Sequence, residues 1–159
     1  MTTLQWILIG AGTLLAFGLT ARQVSAEESP VDEPSTTPPA SFPPGLIAFA
    51  QAIATAEGFW TPGTIPNRAH NPGDLKLGGS TLGEGITVYD DDDQGWAALY
   101  GQLDRIARNR SRYYEPSMTI AQMSRVWVGD APGAANWARN VADALGVSVD
   151  VPISNWLIG

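Results

Sequence analysis

The stretch 45-GLIAFAQAIATAEGFW-60 decides how the rest of the chain is read. Leu46, Phe49, Ala50, Ile53 and Ala54 recur at helical spacing, which makes one face of a helix apolar along its length. Pro43 and Pro44 stand at its start, with Pro44 or Gly45 in the first turn, where a missing N–H is harmless. At the far end comes one carboxylate, Glu57, followed at once by Gly58, Phe59 and Trp60, and no other charged residue lies between Glu33 and Arg68. A carboxylate there faces the negative end of the helix dipole beside aromatic rings that exclude water. Both effects raise its pKa and hold it protonated near neutral pH, as a general acid requires. The competing reading is a Glu that faces solvent beside a glycine C-cap, the usual fate of a Glu near a helix end.

Composition divides the 159 residues into a domain and an appendage. The residues after Pro44 have globular character, and the chain holds six Trp, four Tyr and four Phe to fill a core. A net charge of −7 and a pI near 4.4 argue against nucleic acid as a partner, because neutralising phosphates takes clustered Lys and Arg. A neutral or zwitterionic polymer such as a glycan remains compatible, through aromatic and amide contacts. With no Cys there is neither a disulfide framework nor a zinc–thiolate site.

Residues 1–26 form a membrane-anchor or signal segment. Its uncharged run, Leu4 to Thr20, is shorter than the roughly 20 residues of a full span and longer than the about 7 to 15 of a signal-peptide core. Val24-Ser25-Ala26 offers small residues at signal-peptidase spacing, but no Lys or Arg precedes Arg22 to make a basic n-region. The expectation is a retained single-span anchor, with Trp6 interfacial and the domain held on the cell-wall side of a host or virion membrane. Residues 27–44, EESPVDEPSTTPPASFPP, are rich in Pro, Ser, Thr and acids and form an extended solvated tether.

Residues 45–159 form the domain. Its Gly- and Pro-rich segment after Glu57 reads as loop plus short strands, Asp74 to Leu77 and Gly85 to Tyr89, with turns at Gly78-Gly79 and Gly83. Asp93 caps a helix over about Gln94 to Arg110, striped by Trp96, Leu99, Tyr100, Leu103 and Ile106. Thr119 with Gln122 is a capping-box signature for a helix reaching about Trp127. A further helix covers Ala135 to Leu145, stopped by Gly146, and Trp156 and Leu157 of the tail pack onto the domain. The fold class is α+β, mostly α, with a small strand-and-loop insertion after the acid-bearing helix, which puts Glu57 at the mouth of a cleft.

The runs AIATAEGFW, IPNRAHNPGDLK, GITVYDDDDQGWAALYGQL, TIAQMSRVW and NWARNVADALGV resemble the lysozyme-like domain of phage-encoded lytic transglycosylases and virion muramidases. In that group a helix-ending Glu precedes a block of the form Pro, x, Arg, x, x, Asn-Pro-Gly, Asn or Asp, Leu, Arg or Lys. The resemblance covers about Gly45 to Gly159 and implies a lysozyme-like fold acting on peptidoglycan, with no cofactor. It makes Glu57 the catalytic acid that protonates the bond between N-acetylmuramic acid and N-acetylglucosamine. A transglycosylase then uses the same group as base while the sugar's own C6 hydroxyl closes a 1,6-anhydro ring; in a lysozyme-type muramidase water attacks instead. A third reading is an anchored structural or glycan-binding module without activity.

A two-acid mechanism needs a second carboxylate, for which Asp74, Glu84 and Asp90 to Asp93 are candidates. Asp74 holds the Asn-or-Asp position of the resembling block, as a substrate-site hydrogen-bonding group or as an Asp serving its own turn. Asn71 either presents its amide to sugar hydroxyls or forms a turn before Pro72. The resemblance gives Tyr89 an N-acetyl-holding hydroxyl, against core packing as the alternative. Trp127, Asn136 and Trp137 fall in the region that walls the far side of a lysozyme-like cleft, with core packing, the commoner role for each, as the alternative to a sugar platform. The Asp90 to Asp93 run lacks calcium-loop spacing and reads as an acidic helix cap, and His70, the only histidine, as a loop residue.

Overall fold

The computed structural model describes residues 42–129 and 131–158, which lie within one compact unit, Asp32–Gly159. The expected membrane segment at residues 4–20 and most of the tether lie outside the described residues. Among the described residues no helix is long and apolar enough to cross a membrane. Packing begins at Phe42, earlier than the expected boundary, with its ring 5.2 Å from that of Tyr100.

The apolar face of the opening stretch becomes the centre of the fold. Helix α1, Pro44–Ala56, buries Leu46, Phe49, Ala50, Ala52, Ile53 and Ala54. It packs against α3 (Asp92–Ala107), α5 (Ala131–Leu145) and the short α6 (Ser154–Leu157). Each large side chain taken out of water there contributes roughly 1.5–3 kcal/mol. Helix α4, Ile120–Trp127, packs on α5 and buries Ile120 and Met123. Its capping box is formed as the sequence predicts: Thr119 Oγ1 accepts from Gln122 N–H and Gln122 Oε1 from Thr119 N–H. Trp156 of α6 stacks on Phe49 with centroids 5.7 Å apart.

The domain is therefore mostly helical with one small sheet, the α+β class expected. The sheet differs from the expectation in its membership. Its strands are β1, Thr81–Leu82, and β2, Ile86–Thr87, paired antiparallel. Asp74 to Leu77 joins no strand, although it bonds to β2: Thr87 N–H donates to Leu75 O at 2.9 Å, and Thr87 Oγ1 accepts from Leu77 N–H at 2.8 Å. Side chains complete that pairing, which a period-two reading cannot register. A helical turn, α2 at Ile65–Arg68 capped by Thr64, falls in what reads as loop. Helix α3 is capped by Asp91 rather than Asp93, and α5 starts four residues before Ala135.

Candidate active site

Glu57 is the C-cap of α1, and the three residues that follow explain how it is held. Gly58 adopts φ +75°, and its N–H donates to Thr55 O at 3.1 Å, while Phe59 N–H donates to Ala54 O at 3.0 Å. This is a Schellman ending, in which only glycine takes the left-handed position without strain and the apolar Phe59 folds back onto the helix. The sequence Glu-Gly-Phe thus ends the helix and turns the chain sharply away from the carboxylate.

The carboxylate meets two indoles. Glu57 Oε1 accepts from Trp137 Nε1–H at 2.7 Å and from Trp127 Nε1–H at 2.8 Å. Trp137, on α5, is buried; Trp127 ends α4, and the two rings lie 5.9 Å apart. Burial dominates the proton affinity and pushes the Glu57 carboxyl from 4.5 up to about 7. The Trp137 N–H opposes it, the Asp74 carboxylate adds to it, and the Trp127 N–H and the Lys76 ammonium oppose it more weakly. The indoles that bond to the acid come from α4 and α5, not from its sequence neighbours. Phe59 packs into the core against Trp96 at 5.7 Å, and Trp60 is 50% exposed.

Glu57 opens onto a cleft of about 780 Å³. The loop of Gly73 to Leu77, Glu84, Tyr113, Tyr114, Trp127 and Val128 line it. Arg105, Arg110 and Arg112 line it as well. Asp74 has φ +49°, and its buried Oδ1 has no hydrogen-bond partner among the described residues. Its own pKa is raised by burial, with Lys76 opposing and Glu84 adding. The Tyr114 hydroxyl is pushed up to about 12 by burial, so it stays a neutral donor. Its ring lies 5.8 Å from Trp127.

The structure brings Glu57, Asp74, Trp127 and Trp137 together and separates the other expected site residues from them. Asn71 is fully buried, and its amide is spent on backbone: Nδ2 donates to Leu75 O and Thr87 O, each at 2.9 Å, and Oδ1 accepts from Leu75 N–H at 2.9 Å. It clamps the loop to β2 and presents nothing to a sugar. Tyr89 is not among the residues that line this cleft, and its hydroxyl is buried without a hydrogen-bond partner among the described residues. Asn136 is exposed on α5 and accepts from Arg139 one turn on, because Trp137 is the residue that turns inward.

The remaining acids sort by position. Glu84 shares the cleft. Asp91 accepts from Gln94 N–H at 2.8 Å as the cap of α3, Asp90 accepts from Gln94 Nε2 at 3.2 Å, and Asp92 pairs with His70 Nδ1 at 2.6 Å. That pair closes the loop onto α3, where Gly95 lets the chains touch: a Cβ there would lie 1.8 Å from His70 O. Sequence reasoning missed Lys76, the three arginines, Tyr113 and Tyr114. The available signal was the basic and aromatic run Arg110-Ser-Arg-Tyr-Tyr114, which fits no helix stripe and so has no core role to explain it.

Comparison of the chain with protein-family models, curated proteins and solved structures gives no match.

Proposed function

We propose that this domain is a lysozyme-like peptidoglycan glycosidase, most specifically a lytic transglycosylase, tethered to a membrane by its N-terminal segment and of phage type. The observation that carries the reading is Glu57 at the edge of an open cleft, with a pKa of about 7 set by burial and two indole N–H groups. A carboxyl so poised is protonated often enough to act as an acid near neutral pH and is a competent base once ionised. In the reaction, its proton passes to the oxygen linking N-acetylmuramic acid to N-acetylglucosamine and the C1–O bond breaks. The muramyl C6 hydroxyl bonds to C1, and its proton returns to Glu57. No water is consumed, and the acid is regenerated. The indoles suit both halves of the cycle: they stabilise the anion between the steps, and they hold Oε1 fixed.

Asp74 supports a second reading, hydrolysis by a lysozyme-type muramidase, because it lines the same cleft and acts electrostatically on Glu57. The one-carboxylate route stays ahead because the two indole N–H groups hold Glu57, whereas Asp74 Oδ1 has no hydrogen-bond partner among the described residues. Digestion of purified peptidoglycan followed by mass spectrometry separates the readings. Anhydromuramyl ends support the transglycosylase; reducing ends support the muramidase. Equal release, or none, from wild type and Glu57→Gln rejects both in favour of a binding module.

A further inference from the structure

In a chain of net charge −7, four of the nine Lys and Arg residues, namely Lys76, Arg105, Arg110 and Arg112, line the cleft of Glu57. The ion pairs among the described residues are His70–Asp92 and Arg108–Asp104, so the three cleft arginines have no carboxylate partner there. Arg105 lies in the last turn of α3, and Arg110 N–H donates to Arg105 O at 2.8 Å, which fixes the backbones of the two residues together. Arg112 lies over the Tyr113 ring, 5.5 Å from its centroid. A second hollow of about 450 Å³, lined by Gly101, Asp104, Arg105 and Arg110, shares two of these arginines with the cleft. The same cleft carries the carboxylates of Asp74 and Glu84, with Lys76 acting electrostatically on Asp74.

A linear neutral glycan makes no use of three unpaired guanidinium groups beside the acid. A continuous polyanion would meet Asp74 and Glu84 and the net negative charge of the chain. A glycan with a short branch that carries carboxylates, and an amine as well, matches a cleft lined by three unpaired arginines together with Asp74 and Glu84. The adjoining hollow gives the branch room. Guanidinium is also the group whose planar donor fork fits a carboxylate.

We infer that Arg105, Arg110 and Arg112 form a subsite for the carboxylates of the peptide branch on the muramyl sugar, so that the protein selects peptide-bearing over bare glycan. This rests on the glycan reading of the cleft, and binding measurements test it separately from cleavage. The probes are two soluble glycan fragments of equal length, one with its stem peptides and one stripped of them by an amidase, titrated calorimetrically against the full chain carrying Glu57→Gln. The peptide-bearing fragment is expected to bind about tenfold tighter at low salt, with the advantage shrinking as salt is raised. Adding R105Q, R110Q and R112Q together brings the two affinities to within about twofold of each other; circular dichroism monitors the fold of these exposed-site variants. A ratio near one before the arginines are changed, a ratio that survives their removal, or no binding of either fragment overturns the inference. Short polyphosphate displacing both fragments equally well also overturns it, since the arginines would then be a general anion site. Cleavage of peptidoglycan by wild type alongside a ratio of one leaves the glycosidase reading standing and removes only the subsite.

Discussion

Replacing Glu57 by Gln should abolish activity and at the same time stabilise the protein, by an amount that depends on pH. Folding raises the Glu57 pKa from 4.5 to about 7. At 1.36 kcal/mol per pKa unit, holding the ionised form in this site costs about 3 kcal/mol. The sign follows from proton uptake. Below pH 4.5 the group is protonated in both states and contributes no penalty. Between 4.5 and about 7 the unfolded chain has released its proton while the folded chain keeps it, so stability falls as pH rises, and above 7 the full penalty is present. Glu57→Gln does not titrate, and its amide oxygen still accepts from the Trp127 and Trp137 N–H groups. Thermal unfolding of wild type and variant should therefore give matching midpoints near pH 4.5. By pH 8 the variant should lead by an amount on the order of 10 °C. Asp74 is coupled to Glu57, so the difference reports Glu57 together with that coupling. A gap that does not change with pH, or a variant less stable at pH 8, would refute the assignment of a buried, neutral-poised acid, whatever the activity shows.

Because the acid must carry its proton, kcat/KM on peptidoglycan should fall as pH rises through about 7. Trp137→Phe removes an N–H that favours the anion and should move this fall to higher pH, with Trp127→Phe moving it less; profiles that coincide with wild type in both variants contradict the geometry. Asn71→Ala leaves Leu75 O, Thr87 O and Leu75 N–H without their partner and should destabilise by about 3 kcal/mol in urea unfolding, whereas a loss under about 1 kcal/mol would show the clamp to be dispensable. Gly95→Ala drives a Cβ into the His70 carbonyl and should cost roughly 3 kcal/mol, with the loop displaced from α3, as reduced protection of the residue 70–77 amides in hydrogen exchange would show.

Local chemistry wrote much of this domain into the sequence. The apolar face of Leu46 to Ala54, the Thr119–Gln122 capping box and the Gly58 and Gly146 helix stops depend on groups within a few residues of one another, so their spacing is enough to read them. Glu57 was legible for the same reason: a lone carboxylate at a helix end is a one-dimensional signal. The sheet was not, because Asn71 and Thr87 satisfy the 74–77 backbone with side chains and leave the pairing to Thr81–Leu82. Nor could the sequence choose among Trp127, Asn136 and Trp137, where the rotation of α5 buries one neighbour and exposes the other. Burial raises the Glu57 pKa as expected, but the indoles that bond to the carboxylate lie 70 and 80 residues away rather than beside it in the chain. The sequence alone singled out Glu57 as the candidate acid. Only the tertiary structure decided what surrounds it, because desolvation and electrostatic coupling act through space, and the cleft that joins Glu57, Asp74 and the arginines gathers residues from distant parts of the chain.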